Sequence, residues 1–222
     1  MASLRRTRDD GRVRTVTRHR ERASAEREVL NQILDDGMVG TLSTVTDDGM
    51  PWAVPLLYAR DGDRILVHGS TGAGALRRVA TGAPVAFSVT HMDAMVVAHS
   101  TFESSANYRS AVVYGVFEAL SGDEQYSALD LISEHLIPGR TSEVPPMIAK
   151  EQAATLCMQL RIVEGEWVTK VRNAWSDEPK TDEHAWCGIV PMTTTYGAPQ
   201  PAPWSEGQEV PESVRRLSSQ TH

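Results

Sequence analysis

Two Asp-Gly turns, at Asp48-Gly49 and Asp61-Gly62, constrain this chain more than any other feature. Each stands between runs with the two-residue alternation of a strand: Met38 to Thr46, Pro51 to Ala59, and Arg64 to His68. Asp-Gly supplies the positive φ that a tight hairpin needs, so the three runs read as an antiparallel meander. The third run continues into Gly69, Ser70, Thr71, Gly72, Ala73 and Gly74 and then a short helical stretch that stops at Gly82 and Pro84. Small residues let backbone approach a ligand, and the first amides of a helix have no internal partner, so this turn is a candidate anion site. Ser70 and Thr71 would add hydroxyls, and Arg77 and Arg78 charge. Taken alone, a plain strand-to-helix loop is the better reading, because GxG without the longer dinucleotide fingerprint is weak.

The 222 residues suffice for one sizeable domain, and 41% hydrophobic content is enough for a core. A formal charge of −7 argues against nucleic acid and anionic membrane as partners. Two cysteines, Cys157 and Cys187, make no disulfide framework, and no run is long enough to span a bilayer; the expectation is a cytoplasmic protein.

Residues 1–27 form a polar arm with Arg5, Arg6, Arg8, Arg12, Arg14 and Arg18, diluted by Asp9 and Asp10, and read as a solvated tail that can wrap the body. A helix follows, with Val29, Leu30, Ile33 and Leu34 at helical spacing and a stop at Gly37. Pro84 to Thr90, Met95 to Ala98, Tyr108 to Leu120, Cys157 to Val163, Glu166 to Val171 and Trp186 to Pro191 read as further strands, and Gly122 to His135 as a helix. The fold class is mainly β with helices (α+β), in a closed antiparallel barrel. Residues 28–192 form the domain; 193–222, rich in Pro, Gly, Ser and Glu, read as a flexible or partner-wrapping tail.

Few constellations carry chemistry on residue type alone. His184 and Cys187 lack a second pair to complete a metal set, so no metal site is expected. His91 with Asp93, and His99 with Glu103, have the types of acid–base pairs; for His91 a polar group at a strand end is the better reading. Cys157 stands in an apolar strand and is no nucleophile. Trp167, Trp175 and Trp186 suit a planar ligand, the core or an interface equally.

Several ordered pieces carry a resemblance: ILDDG (Ile33 to Gly37), DGMPWAVPLLYAR (Asp48 to Arg60), HGST (His68 to Thr71), THMDAMVVAHS (Thr90 to Ser100), NYRSAVVYG (Asn107 to Gly115), HLIPGR (His135 to Arg140), KVR (Lys170 to Arg172) and WCGIVP (Trp186 to Pro191). Together they resemble the pyridoxamine 5′-phosphate oxidase-like, FMN-binding split-barrel superfamily, in its flavin-nucleotide-binding, nitroimidazole-resistance-protein-like branch. The resemblance implies a split β-barrel homodimer with FMN in clefts between subunits. It places the flavin ring against Val54, Pro55, Leu56 and Leu57. The phosphate would meet the turn from His68, with Ser70, Thr71, Arg77 and Arg78. Tyr108, Arg109, Ser110, Lys170 and Trp186 would complete the cleft from the other subunit. The resemblance also marks departures. Ala73-Gly74 replaces the family's Ser-Arg in the phosphate turn, His99 replaces an arginine, and Glu103-Ser104 replaces a His-His pair.

The function this implies is an FMN-dependent oxidoreductase acting on a small planar or nitro-bearing molecule, with His68, His99, Glu103 and Arg109 as the catalytic candidates. A missing charge-assisted hydrogen bond costs roughly 1.5–3 kcal/mol, so FMN is expected to bind weakly and to be partly lost. The alternative is a barrel that has lost FMN and uses the same cleft as a cofactor-free, non-redox enzyme or small-molecule binder.

Overall fold

A computed structural model describes residues 14–72, 74–179 and 185–219. The two turns do what their sequence predicts: Gly49 and Gly62 sit at φ 82° and 56°, and β2 (Val39–Val45), β3 (Pro51–Asp61) and β4 (Arg64–Ser70) run as an antiparallel meander. β5 (Pro84–Val97) returns beside β2, and β6 (Ser105–Ala119) pairs with β5 along most of its length. The far half of β6 turns to β7 (Thr155–Arg161), and β7 pairs with β4. The circuit β6–β7–β4–β3–β2–β5–β6 is therefore closed. It is also split, because each long strand changes neighbour. The near half of β6 takes β8 (Trp167–Arg172), and the far half of β5 takes β9 (Gly188–Pro191). β1 (Ala23–Ser24) adds to the outer edge of β8.

Period-two alternation sends one residue set inward. Phe87 and Phe117 lie edge-on at 6.3 Å between centroids, Tyr58 meets Phe87 at 5.3 Å, and all three are fully buried. Each such ring stabilises the fold by about 2–3 kcal/mol. The helix α1 (Arg27–Asp35) closes this core with Leu30, Ile33 and Leu34. A second apolar layer lies outside the barrel, where α3 (Gly122–Leu136) sets Ala128, Leu129 and Ile132 on Ala59, Leu66 and Cys157.

Three expectations change. The two strands expected across residues 84–98 are one strand with a bulge at Asp93, which lets the chain bend without breaking the ladder. A short helix, α4 (Ala149–Ala154), precedes β7. The tail expected to be flexible or wrapped on a partner packs on its own chain. α5 (Glu212–Ser218) is held where Glu143 accepts the Ser213 N–H at 2.9 Å and its hydroxyl at 2.5 Å. At the other end, residues 14–24 lie along the sheet. The Arg14 N–H donates to the Gly165 carbonyl at 3.1 Å, and its guanidinium sits 4.5 Å over the Tyr114 ring. Arg5, Arg6, Arg8, Arg12, Ala73 and His184 lie outside the described residues.

Candidate functional site

The last turn of α1 explains several polar candidates. Carbonyls at a helix C-terminus lack intrahelical donors. Here Tyr58 donates its hydroxyl to the Leu34 carbonyl at 2.6 Å, and His91 Nε2 donates to that of Ile33 at 2.9 Å. His135 Nε2 donates to the Gly37 carbonyl at 2.7 Å. A carbonyl only accepts, so each imidazole carries its proton on Nε2 there. His91 is thus spent on holding α1, and its carboxylate neighbour Asp93 turns to Arg109 instead. Gly37 leaves room for this arrangement: a Cβ there would collide with the Tyr58 hydroxyl.

Arg109 extends the same structure. Its Nη1 reaches Asp36 at 2.5 Å, and its Nε and Nη2 fork onto Asp93 at 3.0–3.2 Å. The bond to Asp93 is the main reason the guanidinium is held even more firmly charged than usual. One cation between two carboxylates leaves a net charge of −1. The triad lines a cleft of about 550 Å³ with Met38, Thr90, Met92 and Thr194.

Strand alternation sets Ser110 on the opposite face of β6. Arg109 is paired with His91, facing α1, whereas Ser110 is paired with Thr90 and Lys170 on the outer face. The same rule divides the expected flavin wall. Val54 and Leu56 pack into the barrel core, and Pro55 and Leu57 stand on the outer face, Leu57 45% exposed. Tyr108 shares the outer face with Ser110. Within one subunit the four wall residues divide between the two faces of β3, and the side chains of Arg109 and Ser110 leave β6 on opposite sides.

The glycine-rich turn is closed on itself. The Ser70 hydroxyl accepts the Gly72 N–H at 3.2 Å, and the Thr71 N–H and hydroxyl both go to the Ala154 carbonyl at 3.1 and 3.2 Å. Arg78 is turned away, ion-paired with Asp47 and donating to the Val45 carbonyl at 2.8 Å. Gly69 serves packing, since a Cβ there would collide with Leu76 of α2 (Gly74–Ala80). Two turns of helix, a committed Thr71 hydroxyl and a diverted arginine leave the Ser70 O–H and the exposed Arg77 as donors near this turn.

Among the described residues, two imidazoles keep a buried Nδ1 without a partner: His68 and His99. His68 shares its face of β4 with Leu66 and lies across from Cys157 of β7. Burial lowers its pKa and keeps it neutral. The same apolar layer pushes the Cys157 thiol up to about 11, so it is no nucleophile at neutral pH. His99 and Glu103 lie in one loop, but no hydrogen bond joins their side chains; the Glu103 N–H goes to the Ser100 hydroxyl at 3.2 Å. Trp186, two-thirds exposed, precedes β9.

The arm that the sequence reads as able to wrap the body does so as a strap of residues 14–18; what sequence reasoning missed is the pocket beneath it. With β6 and β8 the strap encloses a pocket of about 290 Å³ lined by Arg18, Lys170, Thr15, Thr17 and Ser110. Alternating Thr and Arg in an arginine-rich arm gave no periodic signal there. Among the described residues there is no group of histidine, cysteine and carboxylate side chains placed to hold a metal ion. No described helix is long and apolar enough to cross a membrane.

The closed circuit of strands, with each long strand changing neighbour, defines a split β-barrel. Residues 26–167 match the Pyridoxamine 5′-phosphate oxidase family, and the chain belongs to that family. The structure of an FAD and heme binding protein from Mycobacterium smegmatis is similar over 88% of this chain and 97% of that one, with 43% identity and a TM-score of 0.85. The flavocytochrome Anf3 from Azotobacter vinelandii is similar over 91% and 94%, with 26% identity and a TM-score of 0.82. A protein assigned to 5-nitroimidazole antibiotic resistance, from Bacteroides thetaiotaomicron, shares the fold over 67% of this chain and 86% of its own, at 16% identity and a TM-score of 0.56. No curated protein matches the chain.

Proposed function

We propose that this chain is a flavin- and haem-binding redox protein, acting as a homodimer, in which the flavin is the dinucleotide FAD. The observation that carries this reading is the pairing of two near-full-length relatives, one described as binding FAD and heme and the other as a flavocytochrome. The phosphate turn supports the dinucleotide over FMN: the Thr71 hydroxyl and Arg78 are committed elsewhere, so a single terminal phosphate finds few donors there.

The chain's own residues offer candidates for both groups. A histidine ligates haem through a free nitrogen of its neutral ring, and His68 and His99 are the described histidines that keep a buried nitrogen unpartnered. His68 is the first choice, since burial holds it neutral and Leu66 and Cys157 give it an apolar setting. The outer face, with Val39, Pro55, Leu57 and Met92 open to solvent, offers a flat apolar wall for a flavin ring and for a second copy of the chain. When bound, a flavin accepts electrons in pairs and releases them singly to a one-electron carrier such as haem. The protein would orient both and exclude water, and Arg109, tied to Asp36 and Asp93, would stiffen the adjoining cleft rather than touch the flavin.

Titration of the purified chain with FAD and with haemin tests this, read by flavin fluorescence and by the Soret band. Saturable binding of both is expected, and His68→Ala should abolish the Soret shift while leaving FAD binding in place. A chain that takes up neither group ends this reading and returns the cleft to the cofactor-free alternative.

A further inference from the structure

If the β4–α2 turn no longer holds phosphate, another part of the chain must supply the cations a dinucleotide needs. The strap pocket has them. Lys170 projects from β8 beside Ser110 of β6, which is its direct cross-strand neighbour. Residues Thr15, Thr17 and Arg18 pass over both strands and close the pocket. Among the described residues that line it there are two cations and three side-chain hydroxyls beyond the bonded Thr169, and no carboxylate. Neither Lys170 nor Arg18 has an ion pair among the described residues, although the chain as a whole is acidic. Most other cations near the sheet are spent: Arg14 on Glu166, Arg27 on Asp63, Arg78 on Asp47, Arg109 on two aspartates. Two free cations with hydroxyls between them suit an oxyanion, since each cation can donate to a different oxygen.

A cavity of about 570 Å³ lies alongside and shares Thr15, Val16 and Val168 with this pocket.

We propose that the pocket between the strap and strands β6 and β8 is an anion site that takes the diphosphate of a flavin dinucleotide. The strap lies before the family's matched region, whereas Ser110 and Lys170 stand on strands of the barrel itself. The proposal rests on the flavin reading above only for the identity of the dinucleotide; the anion site stands on its own residues.

The test uses the full-length chain with three probes: inorganic pyrophosphate, FAD and riboflavin, the last having the ring without phosphate. Arg18→Gln and Lys170→Gln remove one charge each and keep the side chain's bulk. Each should weaken pyrophosphate and FAD about tenfold to hundredfold. Riboflavin affinity should stay within about twofold, since a neutral ligand gains little from these cations. Variants that bind FAD as tightly as the parent overturn the proposal, as do variants that lose riboflavin in equal measure. A parent that binds pyrophosphate through these residues but takes no FAD supports the anion site and refutes the flavin reading.

Discussion

Arg109 and Ser110 are adjacent in the chain, yet they belong to two regions with opposite character. On the α1 side of β6, Arg109 is closed off by Asp36 and Asp93, and its charge is answered within the fold with one carboxylate to spare. On the outer side, Ser110 and Lys170 stand with Arg18 in a pocket where cations have no carboxylate. The first arrangement stabilises the protein and leaves nothing over for a ligand. The second gains nothing from the fold and leaves its charge available. A residue's type and its place in a motif predict neither; the partners that surround it do. Arginine in NYRS looks like a ligand group until two aspartates from distant segments are found on it.

The comparison breaks most readily at Arg109. Arg109→Ala leaves Asp36 and Asp93 facing each other unpaired, at partly exposed sites, and should lower stability by about 1–2 kcal/mol. FAD affinity should hardly move. Ser110→Ala should do the reverse, leaving the melting temperature unchanged and weakening FAD about threefold through one lost neutral hydrogen bond. Thermal unfolding and FAD titration on the two variants decide it: equal effects on both readouts would erase the distinction between the faces.

A smaller effect concerns His68. Its pKa in the folded protein is lowered by burial from the ordinary 6.5. The unfolded chain therefore takes up a proton at a higher pH than the folded one, so stability falls as pH drops below about 6.5, down to the lowered folded value. Above 6.5 both states are neutral and the contribution is constant. His68→Gln cannot be protonated and should flatten that part of the profile. Denaturant midpoints measured from pH 7.5 to 5 compare the two; parallel profiles would place the titration elsewhere.

Much of the fold was legible because its signals are local. Asp-Gly turns fix hairpins, alternation fixes strands, and Leu30, Ile33 and Leu34 fix the buried stripe of α1. What misled was local ambiguity with a distant answer. Asp93 looked like the end of a strand and is a bulge inside one, held open by Arg109. The glycine-rich turn looked like a phosphate cradle, but Gly69 makes room for Leu76 and Thr71 is bonded to Ala154, contacts across the fold that no turn signature contains. The arm was read as able to wrap the body, but not where, because nothing in an arginine-rich arm announces β8 beneath it. Candidate residues could be named from type and motif. Sorting them by face needed the ladder, since one step along β3 moves a side chain from Leu56 in the core to Leu57 in solvent.

The pairing of flavin and haem in one protein makes a stricter demand than binding either alone, because electrons must pass between them. With FAD and haemin both loaded, the flavin is photoreduced under anaerobic conditions with EDTA as the electron donor, and both absorption bands are followed in time after the light is switched off. The account predicts that the flavin band recovers as ferrous haem bands appear, in a ratio of about two haems per flavin by electron count. A flavin that stays reduced beside ferric haem would contradict it.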